Sequence, residues 1–201
     1  MLDGRNQGEP VGPSEHEPSR ETQREFAFVL IKPMGMKYLE RIINILREQG
    51  AVGNIKLIRT SRRQVESHYE ASKYDENGVE NYYYAGITSY LTEKEVCVLV
   101  IEDAREKRNG QPGFIDNLRK NVIGPSNPDV AAPGHIRRIA VDENLAFRVK
   151  MAIPGTDKTS TCMDNLIHCS DSIQNARREV ALWYADDPAI VESHGTAPKQ
   201  E

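Results

Sequence analysis

The chemistry-bearing side chains of this 201-residue chain gather most densely between Asn165 and Ser172, where the order is Asn-Leu-Ile-His-Cys-Ser-Asp-Ser. His168 stands between an apolar pair and a turn rich in Ser and Asp. Imidazole is the side chain that can be neutral, and so nucleophilic, near pH 7. Ser170, Asp171 and Ser172 are each good helix N-caps, and Ile173, Ala176, Val180 and Trp183 recur behind them at helical spacing. The spacing puts His168 just ahead of a helix N-terminus, where free N–H groups and the dipole attract anions. A histidine at such a place can attack a phosphoryl group. The plainer reading is a satisfied core histidine, and this segment by itself leaves both open.

Other elements must hold that histidine in place. Glu25 to Ile31 is apolar on both alternating faces, as a central buried strand would be, and it ends at Lys32-Pro33. A lysine therefore emerges where the strand meets its loop. Leu39, Ile42, Ile43 and Leu46 mark one helical face that Gly50 ends, and Ile55 to Ile58 offers a shorter strand. Ser61 and Gln64 have capping-box spacing and open a helix through Val65, His68 and Tyr69. After the turn signal Asp75-Glu76-Asn77-Gly78 comes the aromatic cluster Tyr82-Tyr83-Tyr84, in a helix pair or hairpin. Glu95 to Ile101 reads as a third strand, followed by a polar loop with Lys107, Arg108 and Gly110. Gly113 to Ile123 reads as a helix carrying Arg119 and Lys120, and Gly124 to Pro128 as a turn-rich loop. Further on, Phe147 to Met151 alternates like an edge strand and Pro154 to Lys158 is a turn.

Composition excludes several classes. A formal net charge of −4 and a pI near 5.8 give no global pull toward nucleic acid or acidic membranes. Cys97, Cys162 and Cys169 show neither CxxC spacing nor an even framework, so they read as free thiols in a reducing compartment. No apolar run reaches transmembrane length, and the N-terminus lacks a signal h-region. The expectation is a cytoplasmic protein with a disordered tail over residues 1–23, one folded domain over 24–184 and a flexible tail over 185–201. There is no internal repeat, metal-ligand spacing or P-loop, so any nucleotide is held by side chains and loops.

The segment Asn165-x-x-His168-x-Ser170-Asp171-Ser172, followed by Glu179 and Ala181-Leu182-Trp183, resembles the active-site segment of nucleoside diphosphate kinases. Two further landmarks fall in that family's order: Ile31-Lys32-Pro33, and Pro133-Gly134-His135-Ile136-Arg137. The resemblance runs from about Phe26 to Tyr184. It implies an α+β fold, a ferredoxin-like βαββαβ arrangement of four antiparallel strands with helices on one face. It implies a ping-pong reaction in which His168 takes the γ-phosphate of a nucleoside triphosphate and returns it to a diphosphate. Glu179 would orient the imidazole, Ser170 would bond Glu179 or the substrate, and Lys32, Arg137 and Lys120 (or Arg119) would bind phosphates. Tyr69 and Ser126 map to further phosphate contacts and Asn165 to a ribose or phosphate contact. Tyr83 and Ile87 map to the two walls of a slot that stacks on any base. Mg²⁺ would be held mainly by the nucleotide phosphates, with no protein metal site, and the protomers would form a hexamer or a tetramer of dimers. No membrane and no specific nucleic acid partner is expected.

The departures are specific. Residues 139–164 form an insertion, read as a hairpin or loop near the site mouth that shapes an oligomer interface or covers the nucleotide. Met34 stands where an aspartate usually follows Ile-Lys-Pro. Cys169 replaces a glycine beside the histidine, where it would crowd the phosphate or, if exposed, make activity redox-sensitive. Lys120 keeps the charge of the expected arginine but loses its fork. These departures leave a second reading open, a kinase-like nucleotide-binding or regulatory module that turns over poorly. An unrelated ferredoxin-like ligand-binding domain with chance motifs is the third.

Overall fold

The computed structural model describes residues 25–79, 81–104, 113–153 and 155–195. The reading of a disordered N-terminal tail, and the loop residues Lys107, Arg108 and Gly110, fall outside these. Strand β1 (Phe26–Ile31) is buried along its whole length because both faces of its pleat carry apolar side chains. It pairs antiparallel with β3 (Glu95–Glu102) on one side and β6 (Ile167–Cys169) on the other; β2 (Ala51–Arg59) completes the sheet in the order β2-β3-β1-β6. This is the expected four-stranded antiparallel sheet of an α+β fold. β2 is longer than the sequence suggested, its apolar pattern being interrupted by a register shift between Gly53 and Lys56.

Alternation in β1 and β3 decides how the helices pack. Ala27, Val29 and Ile31 face one way with Cys97, Leu99 and Ile101, against Ile42 and Leu46 of α1 (Leu39–Arg47) and Phe114 of α4 (Phe114–Asn117). Phe28 and Leu30 face the other way with Val96, Val98 and Val100. There they meet Val65 of α2 (Arg62–Tyr69), Ile87 of α3 (Tyr82–Leu91) and Trp183 of α6 (Ile173–Trp183). Helices cover both faces, not one, because neither face is polar enough to meet water.

The capping box forms as its spacing predicted: Ser61 Oγ accepts from Gln64 N–H at 3.2 Å while Gln64 Oε1 accepts from Ser61 N–H at 3.0 Å. The helix expected over 113–123 changes pitch after α4. Residues 118–123 form a π-helical turn, closed by Gly124 N–H donating to Arg119 O at 3.0 Å.

After the short α5 (Ile139–Asp142), the inserted segment forms a hairpin of β4 (Arg148–Ala152) and β5 (Thr159–Met163). It packs on α3: Ser160 Oγ donates to Tyr82 O at 2.6 Å, and a Cβ on Gly86 would lie 2.6 Å from Ser160 Oγ. The reading of 185–201 as a flexible tail is corrected over 188–194. Asp187 caps and Pro188 opens a seventh helix, α7 (Pro188–His194). Its Ile190 and Val191 pack on the core, and His194 Nε2 bonds Glu102 Oε1 at 2.9 Å.

Candidate active site

His168 lies on β6, paired across the sheet with Leu30, and its strand places it beside the buried polar residues Ser170 and Glu179. Nε2 of the ring donates to Glu179 Oε1 at 3.0 Å, and Ser170 Oγ donates to Glu179 Oε2 at 2.5 Å. Both carboxylate oxygens are thus used, and the imidazole is held as the Nε2–H tautomer. Nδ1 has no protein hydrogen-bond partner among the described residues and is left as the free lone pair. The ring is 24% exposed, open enough for a ligand to reach it. Glu179 reaches this position because α6 starts at Ser172, whose Oγ accepts from Asn175 N–H at 3.2 Å, and Glu179 lies on its buried side with Ala176, Val180 and Trp183.

His168 and Glu179 line a cleft of about 480 Å³ with Arg119, Lys120, Ser126, Arg137, Cys169 and Asp171 among its walls. Its charge is mainly cationic. Arg137 anchors the loop to the sheet, donating through Nη1 to Gly124 O at 2.8 Å and through Nη2 to Ile167 O at 3.0 Å. Gly124 has φ +87° at this crossing, and a Cβ there would lie 2.6 Å from His135 Nδ1, so the turn requires glycine. Burial lowers the Arg137 pKa to about 10, which leaves it charged at neutral pH.

Of the two basic residues on the π-helical turn, Arg119 is the one whose charge acts on Arg137, Cys169 and Asp171. Lys120 also borders the cleft, but its Nζ is drawn to Asp116 Oδ2 at 3.4 Å and its side chain is mostly exposed. Both residues lie on the π-helical turn, where the wider pitch sets them at different angles to the cleft.

Lys32 is 3% exposed, with Nζ donating to Asn165 Oδ1 at 2.9 Å and Met163 O at 3.1 Å. Burial lowers its pKa to about 8, opposed by the nearby carboxylate of Asp164. Asn165 in turn donates through Nδ2 to Ser126 O at 2.7 Å, linking the lysine to the loop of the cleft. Tyr69 is buried, and its hydroxyl and the Nε–H of Arg137 are buried donors without a partner among the described residues. Such orphaned groups are costly unless something satisfies them.

The base-side assignments fare differently. Tyr83 is half-buried, its hydroxyl in the field of Cys162 and Arg137. Ile87 is fully buried in the core with Cys162, so it cannot form a wall of an open slot. Its side chain belongs to the core cluster with Phe28, Leu30 and Val65, while the inserted hairpin meets α3 at Tyr82 and Gly86. Cys169 is also buried, and burial pushes its thiol up to about 12, so it is no reactive thiolate.

Two residues escaped the sequence reading. His68, on the buried face that Val65 and Tyr69 mark, sits edge-to-face on His168 with ring centroids 4.5 Å apart. Its Nδ1 accepts from Trp183 Nε1–H at 3.1 Å, and burial keeps it neutral. His68, His168 and Glu179 bring ligating atoms within 4.8 Å of one another, a cluster that chain spacing did not show. Asp164 is fully buried beside Lys32 and Asn165. No periodicity could have singled it out.

The sequence profile of the nucleoside diphosphate kinase family matches residues 25–189. A nucleoside diphosphate kinase of Staphylococcus carnosus is 30% identical over 164 residues, covering 80% of this chain and 87% of its own. Nucleoside diphosphate kinase 1 of Arabidopsis thaliana is 28% identical over 170 residues, covering 82% and 90%. Among solved structures, the apo nucleoside diphosphate kinase of Encephalitozoon cuniculi superposes with a TM-score of 0.55 at 25% identity, over 81% of this chain and 90% of that one. The Borrelia burgdorferi enzyme with vanadate and ADP gives 0.60 at 16% identity over 90% and 95%, a likeness of fold. With the family profile spanning all six strands and the His168–Glu179 pair, this chain belongs to the nucleoside diphosphate kinase family of phosphotransferases.

Proposed function

We propose that the protein is a nucleoside diphosphate kinase that works through a phosphohistidine on Nδ1 of His168. The observation that carries this reading is the Glu179 carboxylate, which accepts the hydrogen bond from Nε2–H of His168 and leaves Nδ1 as the nucleophile beside a cationic cleft. In the first half-reaction the Nδ1 lone pair forms a bond to the γ-phosphorus. The bond from phosphorus to the β,γ-bridging oxygen breaks, and the diphosphate leaves with its electron pair. The ring gains positive charge as the P–N bond forms, and Glu179 offsets it without taking the proton. A second diphosphate then reverses the step.

Arg119, Arg137 and Lys32 supply the positive charge that a loose phosphoryl transition state needs, with Tyr69, Ser126, Asn165 and Lys120 around them. The unpartnered donors of Tyr69 and Arg137 suit the phosphate oxygens. Ser170 locks Glu179. Tyr83 is the remaining base contact, and with Ile87 sealed the base has one aromatic face rather than a two-sided clamp.

Mg²⁺ fits this site only on the nucleotide: the walls are cationic, and Asp171 is the one carboxylate of the lining besides the committed Glu179. Bound there, it would neutralise charge on the outer phosphates. A cytoplasmic homo-oligomer, a hexamer or a tetramer of dimers, belongs to the same proposal. No helix among the described residues is long and apolar enough to cross a membrane. The burial of Ile87 favours a second reading, a nucleotide-binding module with weak turnover. Incubation with γ-labelled ATP and Mg²⁺ separates the two. The kinase gives an acid-labile phosphoenzyme that GDP or UDP discharges and that His168→Asn abolishes; the module binds nucleotide without labelling.

A further inference from the structure

Asp164 is fully buried, and its two carboxylate oxygens join three separate parts of the fold. Oδ2 accepts from Met34 N–H at 2.8 Å, in the turn that follows Lys32, and from Tyr90 Oη at 2.6 Å, near the end of α3. Oδ1 accepts from Leu166 N–H at 3.1 Å. The backbone at that last point is unusual. Leu166 has φ +71°, a left-handed conformation that a leucine does not adopt without support. Its carbonyl accepts from Lys32 N–H at 2.8 Å. The same carbonyl is pressed on by Gly35, where a Cβ would run into it and into Ile31 Cγ2 at 2.9 Å.

The lysine and the segment leading to His168 are thus clamped together at Leu166, and the Asp164 carboxylate holds both sides of the clamp. Position 34, where the family resemblance places a carboxylate, carries an apolar side chain instead; the anion is delivered to its backbone from Asp164. We propose that Asp164 is a positioning residue for phosphoryl transfer: its hydrogen bonds set the Lys32–Leu166 junction from which β6 carries His168, and its charge acts on the buried Lys32 ammonium.

The charged and titratable groups around Lys32 come from four places. Asp164 precedes β6, Arg137 lies in the turn before α5, Cys162 is on β5 and His68 is on α2. Arg137 opposes the lysine charge and Cys162 and His68 are neutral at pH 7, so among the described residues the acid that favours the ammonium is Asp164. Tyr90 provides the contrast. It shares Oδ2 but carries no charge, because burial and the Asp164 carboxylate push its phenol far above the ordinary range. Loss of Tyr90 removes a strut; loss of the Asp164 charge removes a field.

This inference rests on the proposed phosphotransfer, but its test separates the two. In full-length protein carrying ¹³C-lysine, the Lys32 Cε resonance is titrated in wild type, Asp164→Asn and Tyr90→Phe, each checked for folding by circular dichroism. The phosphoenzyme yield is followed over the same pH range. Asp164→Asn is expected to lower the Lys32 midpoint from about 8 by on the order of one pH unit. The alkaline limb of the phosphoenzyme profile moves with it, a roughly fivefold loss at pH 8 that grows toward tenfold at higher pH and shrinks toward pH 6. Tyr90→Phe is expected to lower stability and leave both midpoints in place. An unmoved Lys32 midpoint in Asp164→Asn, or an equal shift in Tyr90→Phe, overturns the proposal. Should the lysine midpoint shift while wild type forms no phosphoenzyme, the positioning role stands and the kinase reading fails.

Discussion

The region around His168 and the region around α3 are built on opposite principles. Around His168 the interior is polar: Glu179, Ser170, Lys32, Asn165 and Asp164 are all buried, each joined by hydrogen bonds to the others or to the backbone, while Tyr69 and Arg137 keep donors without a partner. Around α3 the interior is apolar and closed. Ile87 and Cys162 belong to one buried apolar cluster, and Val149 and Met151 of the inserted hairpin pack against it. The contrast teaches where the insertion acted. It adds aliphatic packing against α3, while the polar cluster around His168 lies apart as a set of fixed charges and dipoles, the arrangement that electrostatic catalysis would require.

That contrast can be broken from either side. The largest effect is expected at Ile87. If it is core rather than slot, Ile87→Ala costs about 2–5 kcal/mol of stability in chemical denaturation and leaves the KM values of purine and pyrimidine nucleotides in their original ratio. A selective rise in KM with stability unchanged would instead reopen the slot.

On the polar side, burial of Lys32 has a sign that can be checked. Its folded pKa, about 8, lies below the ordinary lysine value of 10.5, so the unfolded chain binds the proton more tightly. Stability is therefore expected to rise as pH climbs from 8 toward 10.5. Lys32→Met lacks that rise, and the two curves diverge by about 2 kcal/mol. Parallel curves would mean the ammonium is not buried as described.

The smallest effect sharpens the cationic wall. Arg119→Ala is expected to lower kcat/KM about tenfold or more, a loss of roughly 1.4 kcal/mol of transition-state stabilisation. Lys120→Ala, which frees a residue paired with Asp116, stays within about threefold. The reverse order would make Lys120, rather than Arg119, the phosphate-binding cation of this turn.

Sequence carried what is local or periodic. β1 was readable from its two apolar faces, α2 from the Ser61–Gln64 box, and α6 from the caps before Ile173. His168 and Glu179 were visible as residue types, yet their pairing across eleven positions came from family resemblance, because neither helix nor strand period relates them. What failed depended on chain parts far apart in sequence. Asp164 acts on residues 130 and 74 positions away. The burial of Ile87 comes from its packing in one cluster with Phe28, Leu30 and Val65, and no local window of sequence encodes that. The seventh helix is a different lesson: Asp187-Pro188 ends the preceding helical pattern, yet an Asp cap followed by proline at the first helical position is also a start signal.

The central claim is that Nδ1 of His168 is the nucleophile because Glu179 holds Nε2. Phosphorus-31 and nitrogen-15 NMR of protein labelled with ¹⁵N-histidine and treated with ATP and Mg²⁺ tests it directly. The account predicts one phosphorus coupled to Nδ1 of His168, lost in His168→Asn and transferred on adding GDP. Phosphate on Nε2, on another residue, or nowhere would contradict it.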